Sequence, residues 1–374
     1  MNDFTNTSMD YFNMLSNLYT LKPYSANANY PAMCFLILRV LYHMIPLVPE
    51  GNDGFYLRNY MPAQLGYIIY TIVLILGIYE LLTAFCKKNE AENKLIAFSI
   101  IISGPFIFTL ERGNIILVAL LFLLLYVLLY NSDNRKYRYL AYIALAISAS
   151  IKIYPALFGL MIIYKKRYKE AMHTLILGIL IFLLPFMAFD GIKSLKAMIY
   201  GIFLSSNIQG NLGMGYNFSF TNLVKIFFAL NGNLNPQISG FVKIIPLFIG
   251  ITIFLISKEE WKKIFAITLL CTWLQEFSYT YTLLLFIVPL IVYLRDNTSL
   301  SHVTDIFYRL LFLIILIPFP LPQIPEMDIV NIKFPINYST IIINITILLM
   351  SLILIFDSIV CFLQRNKNYL KNET

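Results

Sequence analysis

The chain has 374 residues, of which 59% are apolar and only 13% charged. Soluble chains carry about a quarter charged residues, so a water-soluble globule is excluded. The net charge of +8 is not read as a nucleic-acid footprint, because excess Lys and Arg in a polytopic membrane protein usually mark cytoplasmic loops.

In chain order, residues 1–12 (MNDFTNTSMDYF) have neither a basic leader nor an apolar run, so they are not a signal peptide. Two amphipathic pieces follow, at roughly 10–20 and 31–46, joined by the turn-rich PYSANANYP. Both are read as helices lying in the outer interface, with aromatic residues at headgroup level. Asp10 stands between Met9 and the pair Tyr11-Phe12. An acid in such a place often has a structural partner, and a catalytic role is the alternative.

The lysine-rich clusters 87–94, 134–138, 165–169, 258–263 and 364–371 are assigned to the cytoplasm. The polar stretches 1–31, 49–62, 189–240 and 323–339 then lie outside. Segments 63–86, 95–110, 114–130, 171–188, 241–257, 304–322 and 340–363 each cross once. Residues 139–164 and 264–294 have basic clusters on both sides, and two full crossings in each would need about 40 residues. Each is therefore read as a hairpin of two short helices that enters from the cytoplasm and turns inside the protein. The result is one integral membrane domain over 1–374, with an outer preamble (1–62), a bundle (63–363) and a cytoplasmic tail (364–374). Its fold class is all-α, a polytopic transmembrane bundle with interfacial helices in the first outer loop and two short hairpins.

The first hairpin contains SASIKIYPALFGL (148–160). Pro155 disfavours helix at Tyr154 and removes a backbone donor, so the chain breaks there and Lys152 falls at the tip. A lysine in the centre of a lipid-facing helix costs about 3 kcal/mol or more, which favours a polar cavity. The second tip, QEFSYTYT (275–282), carries Glu276. A structural ion pair of Lys152 with Glu276, or snorkelling of each to an interface, is the plainer alternative. Between the spans 95–110 and 114–130 the turn is only ERGN, with Glu111, Arg112, Gly113 and Asn114. Arg112 there can clamp a phosphate, or form a surface ion pair that caps a tight turn. The Gly, Asn and Ser content of 205–222 suits a mobile loop over a binding site. The four cysteines show no CxxC spacing and the three histidines are dispersed. No cofactor is implied, and a divalent metal has no support in the sequence.

Three stretches together resemble bacterial glycosyltransferase family 87, polytopic enzymes of the GT-C superfamily: MDYFN…KPYSANANYPA (9–32), ERGNIILVALLFLLL (111–125) and AISASIKIYPALFGLMIIYKKRYKEA (146–171). FLLPF (182–186) and FSYTYTLLLFIVPL (277–290) match more weakly, and Tyr30-Pro31-Ala32 departs from the more usual YPP. The resemblance implies a polyprenyl-phosphate sugar donor, mannose-like by default, a glycan or glycolipid acceptor, and reaction on the outer face of the cell membrane. It implies that an acid in the first outer loop, here Asp10, is the catalytic base. Family members usually carry a transmembrane helix before that loop, which residues 1–8 are too few to supply.

On this reading Arg112, Lys152 and Arg58 bind the donor phosphate, and a single displacement inverts the anomeric centre. Glu111, Asn114, Tyr24, Tyr154, Glu276, Tyr279 and Tyr281 are the substrate-contact candidates, although membrane aromatics are more often packing residues. Two rivals stand beside this reading. Charged broken hairpins also suit an ion-coupled transporter, but no internal repeat is visible. A polysaccharide polymerase or ligase would be expected to carry arginine in its large outer loop, and 205–222 has none.

Overall fold

The computed structural model of the chain describes residues 7–19, 23–26, 28–43, 53–85, 89–212, 215–230, 240–296, 302–317, 323–329 and 332–373. Backbone contacts divide it into two compact units, Met1–Ile208 and Gln209–Thr374, where composition shows no boundary.

The first unit opens with helices α1 (Met9–Tyr19) and α2 (Ala32–His43), near the positions expected. On α1, Tyr11, Phe12, Leu15 and Leu18 recur at helical spacing and are fully buried or nearly so. On α2, Ala32, Cys34, Phe35 and Leu38 do the same. Both apolar faces are covered by the unit itself rather than turned to lipid. Next come α3 (Gly54–Asn59), α4 (Met61–Phe85), α5 (Glu90–Ile101), α6 (Gly104–Arg112) and α7 (Ile116–Leu129). The expected span 95–110 is not one rod. It bends by 53° between α5 and α6, where Ser103 N-caps α6 and Pro105 sits in its first turn. The expected span 114–130 shortens to 14 residues.

The first hairpin is α8 (Arg135–Ile151), a 3-10 turn Tyr154–Gly159, and α9 (Leu160–Tyr164), followed by α10 (Tyr168–Leu183). Both its ends lie together: Arg138 Nη2 and Nε donate to Glu170 Oε1 and Oε2 at 2.9 and 3.2 Å, and Arg167 Nη1 donates to the Tyr130 carbonyl at 2.9 Å. The break falls at Lys152 itself, which leaves the helix in an extended conformation, and Pro155 starts the return. Small residues bring α8 close to α7, which is how helices associate where lipid removes the hydrophobic drive. Ala141, Ala144 and Ser148 are buried, and Ser148 Oγ donates to the Ala119 carbonyl at 2.8 Å. With 17 residues at 1.5 Å each, α8 rises about 25 Å. The tip therefore lies near the end opposite the basic clusters, not halfway. Arg138→Ala leaves Glu170 partly buried without its fork, and should cost about 2 kcal/mol of stability, read as a lower unfolding midpoint in detergent; an unchanged midpoint would show that the clamp is idle.

Helix α11 (Ile192–Leu212) runs across the boundary between the units. The second unit then contains α12 (Phe220–Leu230), α13 (Ile244–Ile256), α14 (Glu260–Trp273), a 3-10 turn Thr280–Phe286, α15 (Ile287–Asp296) and α16 (His302–Leu316). Helices α14 and α15 make the second expected hairpin. Its ends meet through Arg295 Nη2 and Glu260 Oε1 at 3.0 Å and the rings of Trp261 and Tyr293 at 4.9 Å. Residues 323–339, expected as an outer loop, include an antiparallel ribbon of β1 (Gln323–Ile329) and β2 (Ile332–Asn337), with an irregularity between Ile324 and Met327. Helix α17 (Tyr338–Glu373) ends the chain.

Among the described residues, three helical segments are long and apolar enough to cross a membrane: Met61–Phe85, Tyr168–Ala188 and Tyr338–Cys361. The architecture is all-α apart from the one ribbon, a polytopic helical membrane protein. The expected crossings 241–257 and 304–322 appear as the shorter helices α13 and α16, and residues 318–322 lie outside the described residues.

Candidate active site

The turn ERGN builds the site through three consecutive local choices. Arg112 ends α6. Gly113 caps it in the left-handed region at φ 67°, and Asn114 accepts the Ile116 N–H on its Oδ1 at 3.1 Å, capping α7. A β-carbon at Gly113 would stand 2.9 Å from Tyr11 Cβ and 3.3 Å from the Ser8 backbone, so α1 passes directly over the turn. Ser8 N–H donates to the Glu111 carbonyl at 2.5 Å, and the Ser8 carbonyl receives the first amides of α1. Glu111 thus contributes its backbone to the site while its side chain is exposed.

These contacts deliver Asp10, in the first turn of α1, between two donors. Arg112 Nη2 reaches Asp10 Oδ1 at 2.7 Å and Asn114 Nδ2 reaches Oδ2 at 2.8 Å. The side chains of Asp10 and Arg112 are 15% and 26% exposed, so the pair is recessed yet reachable. The amino end of α7 adds partial positive charge beside them. Asn114, expected to meet substrate, has both ends of its amide committed: one to its own helix and one to Asp10.

Lys152 completes the cluster. Its Nζ lies over the Tyr30 ring, 4.5 Å from the centroid, and the Tyr30 hydroxyl stands 3.5 Å from Asn114 Nδ2. The tip is fixed from behind by Cys34 Sγ, which donates to the Ile151 carbonyl at 3.4 Å. Tyr24 is buried against Phe35, Phe186 and Phe189, and its hydroxyl donates to the Tyr30 carbonyl at 2.9 Å. It holds Tyr30 in place. Tyr154 begins the 3-10 turn two residues beyond Lys152. Arg58 lies on α3, its guanidinium over the Phe55 ring at 5.9 Å.

Glu276, Tyr279 and Tyr281 are in the second unit. Glu276 Oε2 pairs with Lys243 at 2.7 Å and Oε1 with Lys225 at 3.8 Å. Tyr279 stacks on Phe277 and adjoins Tyr281 and Tyr216. The segment expected as a mobile loop is pinned to this tip over residues 217–222. Asn217 Nδ2 and Ser219 Oγ both donate to the Glu276 carbonyl at 3.2 Å, and Phe218 N–H donates to the Ser278 carbonyl at 2.7 Å.

Sequence reasoning passed over Tyr30, Lys225 and Lys243 as site residues. The signals were present: a tyrosine just before Pro31 at a helix start, and lone lysines in apolar runs. Among the described residues, no group of three or more His, Cys, Asp or Glu side chains is placed to hold a metal ion.

The model of glycosyltransferase family 87 matches residues 54–235. That stretch contains Arg112 and Asn114, which hold Asp10, and Lys152, which lies over the Tyr30 ring. Residues 54–235 belong to glycosyltransferase family 87. No curated protein and no solved structure matches the chain. The match over this stretch, consistent with the GT-C superfamily, supports a membrane glycosyltransferase, an activity that needs a donor and an acceptor substrate. Asp10 and Tyr30 lie outside the matched stretch, and the fold brings them to it.

Gly113→Ala tests how tightly this frame is built. The left-handed conformation costs a β-carbon-bearing residue about 1–2 kcal/mol, and the close approach of α1 adds to it. Lower thermal stability and slower transfer are both expected. Gly178→Ala is the control, since nothing lies within 4 Å of its β-carbon position. Equal behaviour of the two variants would remove the claim.

Proposed function

We propose that the chain transfers a hexose, mannose-like by resemblance, from a polyprenyl-phosphate donor to a lipid-linked or cell-envelope glycan. The reaction takes place on the outer face of the cell membrane, and the C-terminus is cytoplasmic. The observation that carries this reading is the recessed Asp10 carboxylate set among Arg112, Asn114 and Lys152. One acid and two cations in a partly closed cluster match the two demands of the reaction.

Asp10 takes the proton of the acceptor hydroxyl as its oxygen bonds to the anomeric carbon. The bond from that carbon to the phosphate oxygen breaks, and polyprenyl phosphate leaves with the electron pair. Arg112 and Lys152 balance the charge gathered on it, which fixed cations in a low-dielectric site do well. One displacement inverts the configuration. Arg58 is a further cation for the donor, and Tyr154, Tyr279, Tyr281, Glu111 and Glu276 remain proposed substrate contacts.

The test uses membranes containing the chain, radiolabelled polyprenyl-phosphate hexoses and host membrane extract as the source of acceptors. Label should move to a new product with inverted configuration, and Asp10→Asn should abolish the movement. Substrate uptake into proteoliposomes without any transfer would replace the enzyme by a carrier.

A further inference from the structure

One side chain touches both halves of the Asp10 cluster. The Tyr30 hydroxyl stands 3.5 Å from Asn114 Nδ2, the group that donates to Asp10 Oδ2 at 2.8 Å. The ring of the same residue lies 4.5 Å from Lys152 Nζ. The proposed base and a proposed cation are thus linked through one phenol that no step of the reaction uses. Its position is built from several elements. Tyr24 donates its hydroxyl to the Tyr30 carbonyl at 2.9 Å, and Asn29 Nδ2 donates to Ser205 Oγ on α11 at 3.0 Å. Pro31 disfavours helix at Tyr30, and its carbonyl accepts the Cys34 N–H at 3.1 Å where α2 begins. Tyr24 is a packing residue, buried among Phe35, Phe186 and Phe189. Tyr30 is half-buried and turns its ring to a cation.

Electrostatics says what such a ring can do. Asp10 is paired with Arg112 rather than with Lys152, although its charge acts on Lys152 across the cluster. Cys34 of α2 stands behind the tip. Lysine is a compact point charge on a flexible stem, and opposite charges attract strongly where water is partly excluded. A Lys152 that closed on Asp10 would occupy the base and neutralise the cation at once. The face of an aromatic ring attracts an ammonium group but has no net charge. It can hold the lysine in place while leaving its full charge for a departing anion.

We propose that Tyr30 is a positioning residue of the transfer reaction, whose ring holds the Lys152 ammonium in place and off Asp10. It acts through Lys152 and takes no part in bond making. The proposal rests on the transferase reading, and adds to it the reason that base and cation, close together, do not cancel each other.

The test is a double-mutant cycle on the full chain in membranes, using the radiolabelled polyprenyl-phosphate hexose that the unsubstituted chain turns over. Tyr30→Phe keeps the ring and should keep most of the rate. Tyr30→Leu should lower kcat roughly tenfold, the rate equivalent of one partly desolvated cation–π contact. The loss should fall on kcat more than on KM. Combined with Lys152→Met, Tyr30→Leu should cost less than about twofold further, because the group it holds is gone. Phenylalanine with one, two or three ring fluorines in place of Tyr30 keeps nearly the same shape but has a progressively weaker negative face. The rate should fall stepwise along that series toward the Tyr30→Leu value, a gradient that a purely structural role does not produce. Thermal unfolding of each variant separates lost rate from lost fold. Additive losses in the double variant, or a flat response to fluorination, overturn the role of Tyr30 while transfer by the unsubstituted chain keeps the transferase. No transfer by the unsubstituted chain from any such donor overturns both.

Discussion

Asp10→Asn is expected to lower the transfer rate by about 10³-fold or more, at the upper part of the range for losing a positioned general base. The substitution removes the atom that takes the acceptor proton while keeping the volume of the side chain. It also disturbs the frame in a way the geometry specifies. Arg112 and Asn114 each donate to one carboxylate oxygen, and an amide offers only one acceptor, so one donor loses its bond. A stability loss of about 1–2 kcal/mol accompanies the catalytic loss. Donor affinity should hold or rise, since a negative charge beside Arg112 is gone. The measurements are single-turnover transfer and equilibrium binding of polyprenyl phosphate on the same preparation. Formate added to Asp10→Gly should restore part of the rate, because a free carboxylate can occupy the vacated space. Transfer by Asp10→Asn within tenfold of the unsubstituted chain would end the base assignment.

Lys152→Met is the second large effect, with kcat expected to fall by about 10²–10³-fold, the scale of losing one fixed group that stabilises transition-state charge. Methionine keeps most of the length and the apolar character of the lysine stem, so the tip can still pack on Tyr30. The cation over that ring contributes on the order of 1 kcal/mol, a modest part of what holds the hairpin in place. Lys152→Arg should recover part of the rate by keeping the charge. The kinetic pattern discriminates between roles. A fall in kcat with little change in KM marks stabilisation of the departing phosphate, whereas a rise in KM alone marks uniform binding of the donor. The second pattern would remove Lys152 from the chemical step.

Much of the frame was legible without coordinates because hydropathy and charge act over short stretches of sequence. Basic flanks on both sides of 139–164 and 264–294 required hairpins, and the ion pairs Arg138–Glu170 and Arg295–Glu260 close them at the expected ends. The breaks at Lys152 and near Glu276 follow from proline and polar residues within apolar runs. Other features depend on more than local pattern. Ser103 and Pro105 divide a crossing that hydropathy alone runs together, and the ribbon of β1 and β2 forms from a stretch whose composition reads as loop.

What the sequence by itself determined is that the protein lives in a membrane, where its chain turns, and which residue types could bear charge there. What only the tertiary structure decided is which of them meet. Asp10 and Arg112 are 102 positions apart, and their contact depends on a glycine small enough to let α1 cross the α6–α7 turn. Glu111 shares that turn yet faces outward, Tyr24 became a prop for Tyr30, and Asn114 became the bracket for Asp10. Residue type and spacing fix local conformation, but the partner of a charged side chain is chosen by packing, because a charge at membrane depth is retained only where the fold supplies counter-charge and donors together.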